Sequence, residues 1–218
     1  MAGRSRSDRH GSRGDPVAEV GSLQEFAAGL VSDLRELAVR FAVVGGFAVS
    51  VRTEPRFTRD IDLAVAVGSD AEAEALVASL QGRGYQVFMV LEQKATARMA
   101  TVRLRRARGS GEPLIADLLF ASSGIEVELV AAATEEELPG IGGVPIASCG
   151  HLIALKLLSR RDKERPNDAA DLRGLLRAAS PGDLAQAREA AALIMQRGFH
   201  RNRNLTALLA EALDELGE

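Results

Sequence analysis

Two aspartates one residue apart, Asp60 and Asp62 in Thr58-Arg59-Asp60-Ile61-Asp62-Leu63, are the side chains of this chain best placed to do chemistry. On an extended strand, residues two apart point to the same side, so both carboxylates face one spot while Ile61, Leu63 and Val65 face the opposite, buried side. Carboxylates that close raise each other's pKa unless a cation lies between them, and Mg²⁺ is held by one or two carboxylates together with substrate phosphates. The pair reads as a site for a divalent metal, Mg²⁺ or Mn²⁺ in its place, and a nucleoside triphosphate (NTP). The plainer reading is an alternating edge strand carrying two solvated acids.

Further pieces along the chain have the matching chemistry. Gly45-Gly46 closes the apolar run Phe41-Ala42-Val43-Val44. Glycine there lets backbone N–H groups approach a phosphate, and the helical turn that follows aims its N-terminus at the same anion; a tight strand-to-helix turn would use the same residues. Asp117 interrupts the apolar run Leu114 to Phe120, and a carboxylate in such a strand needs a partner or a metal. If its strand lies beside that of Asp60 and Asp62, it is the third acid; otherwise it pairs with an arginine such as Arg103. Three converging carboxylates can hold two Mg²⁺ ions, one activating an attacking hydroxyl and one clamping the triphosphate as pyrophosphate leaves.

Later, Lys156 and Arg160 stand four apart on one helical face with Arg161 beside them, suited to triphosphate oxygens or to plain solvation. Asp168 and Asp171 stand three apart near the start of the next helix, where its dipole favours negative charge. Asp168 reads as a site acid or an ordinary first-turn acid, and Asp171 as an acid that orients Lys156 or Arg161. His151 heads the Lys156 helix, where packing outweighs a general-base role.

The elements that must hold these residues follow from apolar spacing. A helix runs from the Ser22-Leu23-Gln24-Glu25 capping box to about Arg40, then a strand over Phe41–Val44 and a helical turn or two over Phe47–Val51. A strand spans Asp60–Val67, a helix Ala71–Gln81, strands Tyr85–Leu91 and Arg98–Arg105, a hairpin turn Gly109-Ser110-Gly111, and a strand Leu114–Phe120. A small-residue connection through Glu135-Glu136-Glu137 leads to an edge strand, Val144–Ala147, and four helices follow: Ser148–Arg161, Asn167–Ala178, Asp183–Arg197 and Leu205–Leu216. The order implies an α+β fold: a mixed sheet flanked by helices with a C-terminal helical bundle. The expected division is a disordered tail over 1–20, a sheet-bearing core over 21–133 and a helical region over 134–218.

Composition bounds the rest. A net charge of −3 gives no global attraction to nucleic acid or membrane, yet Arg98, Arg103, Arg105, Arg106 and Arg108 crowd one stretch and Lys156, Arg160, Arg161, Lys163 and Arg165 another. Aromatics at 4% argue against a base-stacking platform, leaving charge and shape to bind any RNA. The single Cys149 excludes an intramolecular disulfide. No apolar run reaches the roughly eighteen residues of a membrane span, and the Arg-, Ser- and Gly-rich start lacks a signal-peptide core, so no membrane partner and a cytoplasmic location are expected.

Gly45-Gly46, then Arg56-Phe57-Thr58-Arg59-Asp60-Ile61-Asp62-Leu63, then Asp117 resembles the nucleotidyltransferase superfamily that shares its core with DNA polymerase β. The run His151 to Arg161, followed by Arg165-Pro166-Asn167-Asp168-Ala169-Ala170-Asp171-Leu172, is similar to the Lys-Leu-x-Ala…Arg…Asp-x-x-Asp-Leu pattern of the AbiEii/AbiGii toxin group. The resemblance spans about 41–176. It implies a toxin of a type IV toxin–antitoxin pair, with a cognate antitoxin protein as partner, that moves a nucleotide from an NTP to an acceptor, tRNA at its 3′ end or another RNA. In that scheme Thr58 joins Asp60 and Asp62 in the central motif and contacts phosphate with Gly45 and Gly46. Lys156 faces the triphosphate, and Asp168 and Asp171 form the late acidic motif. Pro166 and the added charge after Arg161 depart from the pattern and leave the late role open between the two acids. A small antibiotic as acceptor is the rival within the class, and a catalytically silent binding subunit the rival outside it.

Overall fold

Helices and strands alternate only as far as β3, after which strands and then helices come in runs: α1 (Pro16–Glu36), β1 (Phe41–Val44), α2 (Gly45–Arg52), β2 (Asp60–Val65), α3 (Asp70–Gly82), β3 (Gln86–Glu92), β4 (Met99–Arg106), β5 (Leu114–Leu119), α4 (Glu126–Ala131), β6 (Thr134–Leu138), β7 (Gly142–Ile146), α5 (Cys149–Ser159), α6 (Pro166–Ala178), α7 (Pro181–Gln196) and α8 (Leu205–Gly217). The computed structural model describes residues 16–55, 58, 60–93, 96–106, 114–159 and 166–217. The expected 109–111 hairpin turn, most of the N-terminal tail, and Arg160 and Arg161 lie outside the described residues.

Among the described residues, seven strands make one sheet in the order β3-β4-β5-β2-β1-β7-β6. β2 is parallel to β5, β1 is parallel to β7, and the other neighbours are antiparallel, so the sheet is mixed. The central strands are the apolar ones: β1 is buried at all four positions, and β2 buries Ile61, Leu63, Ala64 and Val65. Behind them the core takes in Phe26, Leu30 and Leu34 of α1.

Four details differ from the sequence reading. The acidic segment expected as a connection is the outer strand β6, paired with β7, and Val144–Ile146 therefore sits one strand in from the edge. Charge on an edge strand discourages further pairing, and here Arg35 and Arg52 engage Glu135 and Glu136. β6 and β7 thus tie the 134–218 part into the sheet. The small-residue stretch before them contains α4. α1 starts at Pro16, a residue tolerated in a first turn, and it stops at Glu36 because Ala38 turns left-handed with φ 53°.

The helical part is built around α5, which buries eight of its eleven residues and packs against α2, α6, α7 and α8. The closest approach is to α7: a Cβ on Gly150 would meet the Asp183 carbonyl oxygen at 2.5 Å. α7 offers small residues there, burying Ala187, Ala190 and Ala191.

Candidate active site

Strand register assembles the acids. β1 pairs with β2 so that Val44 stands opposite Asp62, and β5 pairs with β2 so that Asp117 stands opposite Asp62. Directly paired residues share a sheet face, so Asp60, Asp62 and Asp117 all point to the side away from the core residues Ile61 and Leu63. The next row outward continues from Asp117 to Arg103 of β4.

Above Asp62 the chain turns from β1 into α2 through Gly45, whose φ of +66° lies in the left-handed region that favours glycine. A Cβ at this position would fall 1.8 Å from Asp62 Oδ2, so bare backbone lies directly against the carboxylate. The α2 N-cap, Val44, makes no side-chain capping bond. The first amides of α2 therefore have no side-chain acceptor at the cap and face a region suited to anions.

The electrostatics of the cluster are strained. Asp62 is pushed up to about 7, first by burial, then by the charges of Asp60 and Asp117, with Lys156 and Arg103 acting in the opposite direction. Asp117 is buried and doubly bonded: Arg103 Nε donates to Oδ1 at 2.7 Å and Nη2 to Oδ2 at 2.6 Å. Asp117 therefore stands beside Asp62, as the third-acid reading requires, and pairs with Arg103, as the alternative reading has it. No group of three or more His, Cys, Asp or Glu side chains among the described residues is arranged to hold a metal ion.

Across the cleft, Lys156 is buried on α5 with its Nζ 2.8 Å from Asp168 Oδ1 and 2.8 Å from Asp171 Oδ2, both on α6. Ser159 Oγ donates to the other oxygen of Asp168 at 3.4 Å. The pair of late acids thus works as a unit that fixes one ammonium, and Lys156 is a buried group rather than a solvated surface cation.

A cavity of about 290 Å³ joins the two sides, walled by Gly45, Gly46, Asp62, Asp117, Lys156 and Asp168. Asp60 stands just off this wall, its charge felt at Asp62. Thr58 precedes β2 and is likewise not on the wall. His151 is buried away from the cavity with Nδ1 2.8 Å from Ser148 Oγ, its pKa lowered by burial, as suits a packed helix start.

The wall also holds Arg103, the partner expected for Asp117, and residues that sequence reasoning did not select: Ser122, Ser123, Glu126 and Arg201. Glu126 Oε1 accepts from the N–H groups of Ser122 and Ser123 and from Ser123 Oγ at 2.7–2.9 Å. Burial raises its pKa against the pull of those bonds. The Ser-x-x-Glu spacing of Ser123 and Glu126, a helix-start signature, was the signal for this corner.

The arrangement couples a glycine turn and helix start for anions, an acid cluster in need of positive charge, and a rigidly held lysine. The model of the family described as "Nucleotidyl transferase AbiEii toxin, Type IV TA system" matches residues 30–217. Among solved structures, an antigenic nucleotidyltransferase-like protein from Paracoccidioides brasiliensis is 21% identical, with 88% of this chain and 92% of that one covered and a TM-score of 0.51. The lincomycin-bound lincosamide antibiotic adenylyltransferase LnuA is 14% identical over 72% and 97% of the two chains, TM-score 0.44. The antibiotic-resistance factor ANT(2'')-Ia is 17% identical over 94% and 97%, TM-score 0.44. The first of these likenesses is one of fold. Among curated proteins, none matches the chain. A family match that takes in the whole sheet and the helical part after it shows that this chain belongs to the AbiEii nucleotidyl transferase toxin family of type IV toxin–antitoxin systems and is a nucleotidyltransferase.

Proposed function

We propose that this enzyme transfers a nucleoside monophosphate from an NTP to a hydroxyl at the 3′ end of tRNA or another RNA, with Mg²⁺ or Mn²⁺ as cofactor. It acts in the cytoplasm as the toxin of a pair whose cognate antitoxin is its protein partner. The observation that carries this reading is the contact of the Gly45 backbone with Asp62: the anion-binding turn and the acid cluster are one continuous feature. Cytoplasmic location is consistent with the lack, among the described residues, of any helix long and apolar enough to cross a membrane.

The donor set fits a hard divalent cation, since it consists of carboxylate oxygens and burial together with the charges of Asp60 and Asp117 disfavours the ionised form of Asp62 until a cation offsets them. Asp60 and Asp62 would hold the ion, with Asp117 joining when Arg103 lets it go. When bound, the cation lowers the pKa of the attacking hydroxyl and offsets charge on the phosphates. Gly45, Gly46 and the first amides of α2 receive the phosphate chain, with Thr58 at the entry to β2. Lys156, steadied by Asp168 and Asp171, supplies a fixed positive charge at the opposite wall, and Arg160 and Arg161 extend that charge along the sequence. The acceptor oxygen bonds to the α-phosphorus, the α–β bridging bond breaks, pyrophosphate departs, and the hydroxyl proton passes to the carboxylate cluster.

An RNA acceptor is favoured by the guanidinium groups at the cleft, Arg103 and Arg201 on its wall and Arg105 on the same sheet face, because arginine suits phosphate recognition. The test is incubation with total tRNA and each α-labelled NTP in Mg²⁺. Label should enter RNA with the wild type and be lost in Asp60→Ala, Asp62→Ala and with EDTA. Label entering an aminoglycoside or lincosamide instead of RNA would replace the acceptor class.

A further inference from the structure

We propose that the cleft face of the outer strand β3 is a shelf on which unpaired nucleotides of the acceptor stack, an inference that rests on the RNA reading above. Five large apolar side chains are exposed among the described residues, and four are consecutive on this strand: Phe88 (53%), Met89 (40%), Val90 and Leu91 (51%). Free energy favours covering such a run, and its orientation says by what.

The register carries the catalytic face outward to it. Asp62 pairs with Asp117, Asp117 with Arg103, and Arg103 with Met89; one row along, Ala64 pairs with Leu119, Leu119 with Thr101, and Thr101 with Leu91. Met89 and Leu91 therefore share a sheet face with the acids, and Leu91 is itself on the cavity wall. Phe88 sits at a register shift and turns toward Arg105 of that face, whose guanidinium lies 5.4 Å from the ring centroid. Three strand spacings separate Asp62 from Met89, about 14 Å, which is the length of about four stacked bases.

The chemistry of the shelf is that of a single-stranded polynucleotide. A ring, the flat guanidinium of Arg105 beside it and two polarisable or branched apolar side chains offer stacking surfaces, and the charge of Arg105 suits the phosphates. One aromatic suffices because the guanidinium plane shares its work, which is how a chain poor in aromatics builds such a surface. A second copy of this chain pairing along the edge fits less well: a register shift places an extra residue, Phe88, in the middle of β3, and such an irregularity bends an edge away from continued pairing.

The probe is a fluorescein-labelled ten-nucleotide single-stranded RNA, read by anisotropy against the same length of blunt duplex. Phe88→Ala and Met89→Ser should each weaken single-strand binding by about tenfold, with thermal unfolding, ATP binding and duplex binding unchanged. Single-strand affinity equal to wild type in both variants would overturn the shelf, as would a wild-type dimer in light scattering that these variants convert to monomers without loss of RNA affinity. The two readings fail separately. Label transfer to tRNA with an unaltered KM in the shelf variants removes the shelf and keeps the transferase reading. Shelf-dependent RNA binding without label transfer from any NTP removes the RNA-transfer reading and keeps the shelf.

Discussion

Replacing Gly45 by alanine tests the join between the anion-binding turn and the acid cluster. The left-handed φ of +66° costs a residue with a Cβ roughly 1–2 kcal/mol. The added carbon would lie 1.8 Å from Asp62 Oδ2, 2.6 Å from its Cγ and 2.8 Å from its Cβ, so the aspartate or the turn must move, at about the 1–3 kcal/mol of an overpacked site. Urea denaturation at pH 8 should show both contributions. Made in an Asp62→Ala background, where two of the three close contacts are gone, the same substitution should cost mainly the conformational part, leaving a coupling energy of about 1–3 kcal/mol between positions 45 and 62. Label transfer by Gly45→Ala alone should fall by about a hundredfold or more, because a 1 Å displacement of a reacting group costs that much. Equal destabilisation in the two backgrounds, or full activity in the single variant, would refute the idea that this glycine exists to let backbone touch the acid.

Other outcomes follow from the same geometry. Asp62 has an ordinary value of 3.8 and a folded value near 7, so the folded chain binds the extra proton between them. Its contribution to stability is fully present below about 3.8 and is lost as pH rises through 7, at up to about 1.4 kcal/mol per unit; Asp62→Asn should flatten that slope in urea titrations across the window. Lys156→Met leaves Asp168 and Asp171 buried without their shared cation and should cost about 3–5 kcal/mol. Lys156→Met with Asp168→Asn and Asp171→Asn should recover most of the loss in thermal melts, and no recovery would mean that the lysine packs rather than pairs. Arg103→Gln frees both Asp117 oxygens. It should lower metal-free stability by about 1–3 kcal/mol for a pair that is partly exposed and tighten Mn²⁺ binding severalfold by electron paramagnetic resonance; weaker Mn²⁺ binding would refute the view that Arg103 stands in for a cation.

What the sequence showed depended on how local the signal was. The acids of β2 were legible because a period of two on a strand fixes a shared face, and the apolar runs of β1 and β5 announced a buried sheet centre. Register was not legible: that Asp117 stands opposite Asp62 and at the same time opposite Arg103 depends on β5 lying between β2 and β4, which no local pattern encodes. The partners of Lys156 were suggested by Asp168 and Asp171 standing three apart, yet their burial required the packing of α5 on α6. β6 was missed because Glu135, Glu136 and Glu137 lack apolar alternation, and an edge strand does not need it. α4 was missed because six residues are too few for helical periodicity to register.

Arg52 has a consequence for how the molecule moves. From the last turn of α2 its guanidinium donates to the carbonyls of Ile146 and Ala147, to Thr134 and to Glu136, riveting the helix that begins at Gly45 to two strands at once. The wall that begins at Gly45 is thereby an anvil, and amide exchange should be slowest there. Under the proposed shelf, adjustment to an incoming nucleotide would fall to the far margin, where β3 has a neighbour on one flank only.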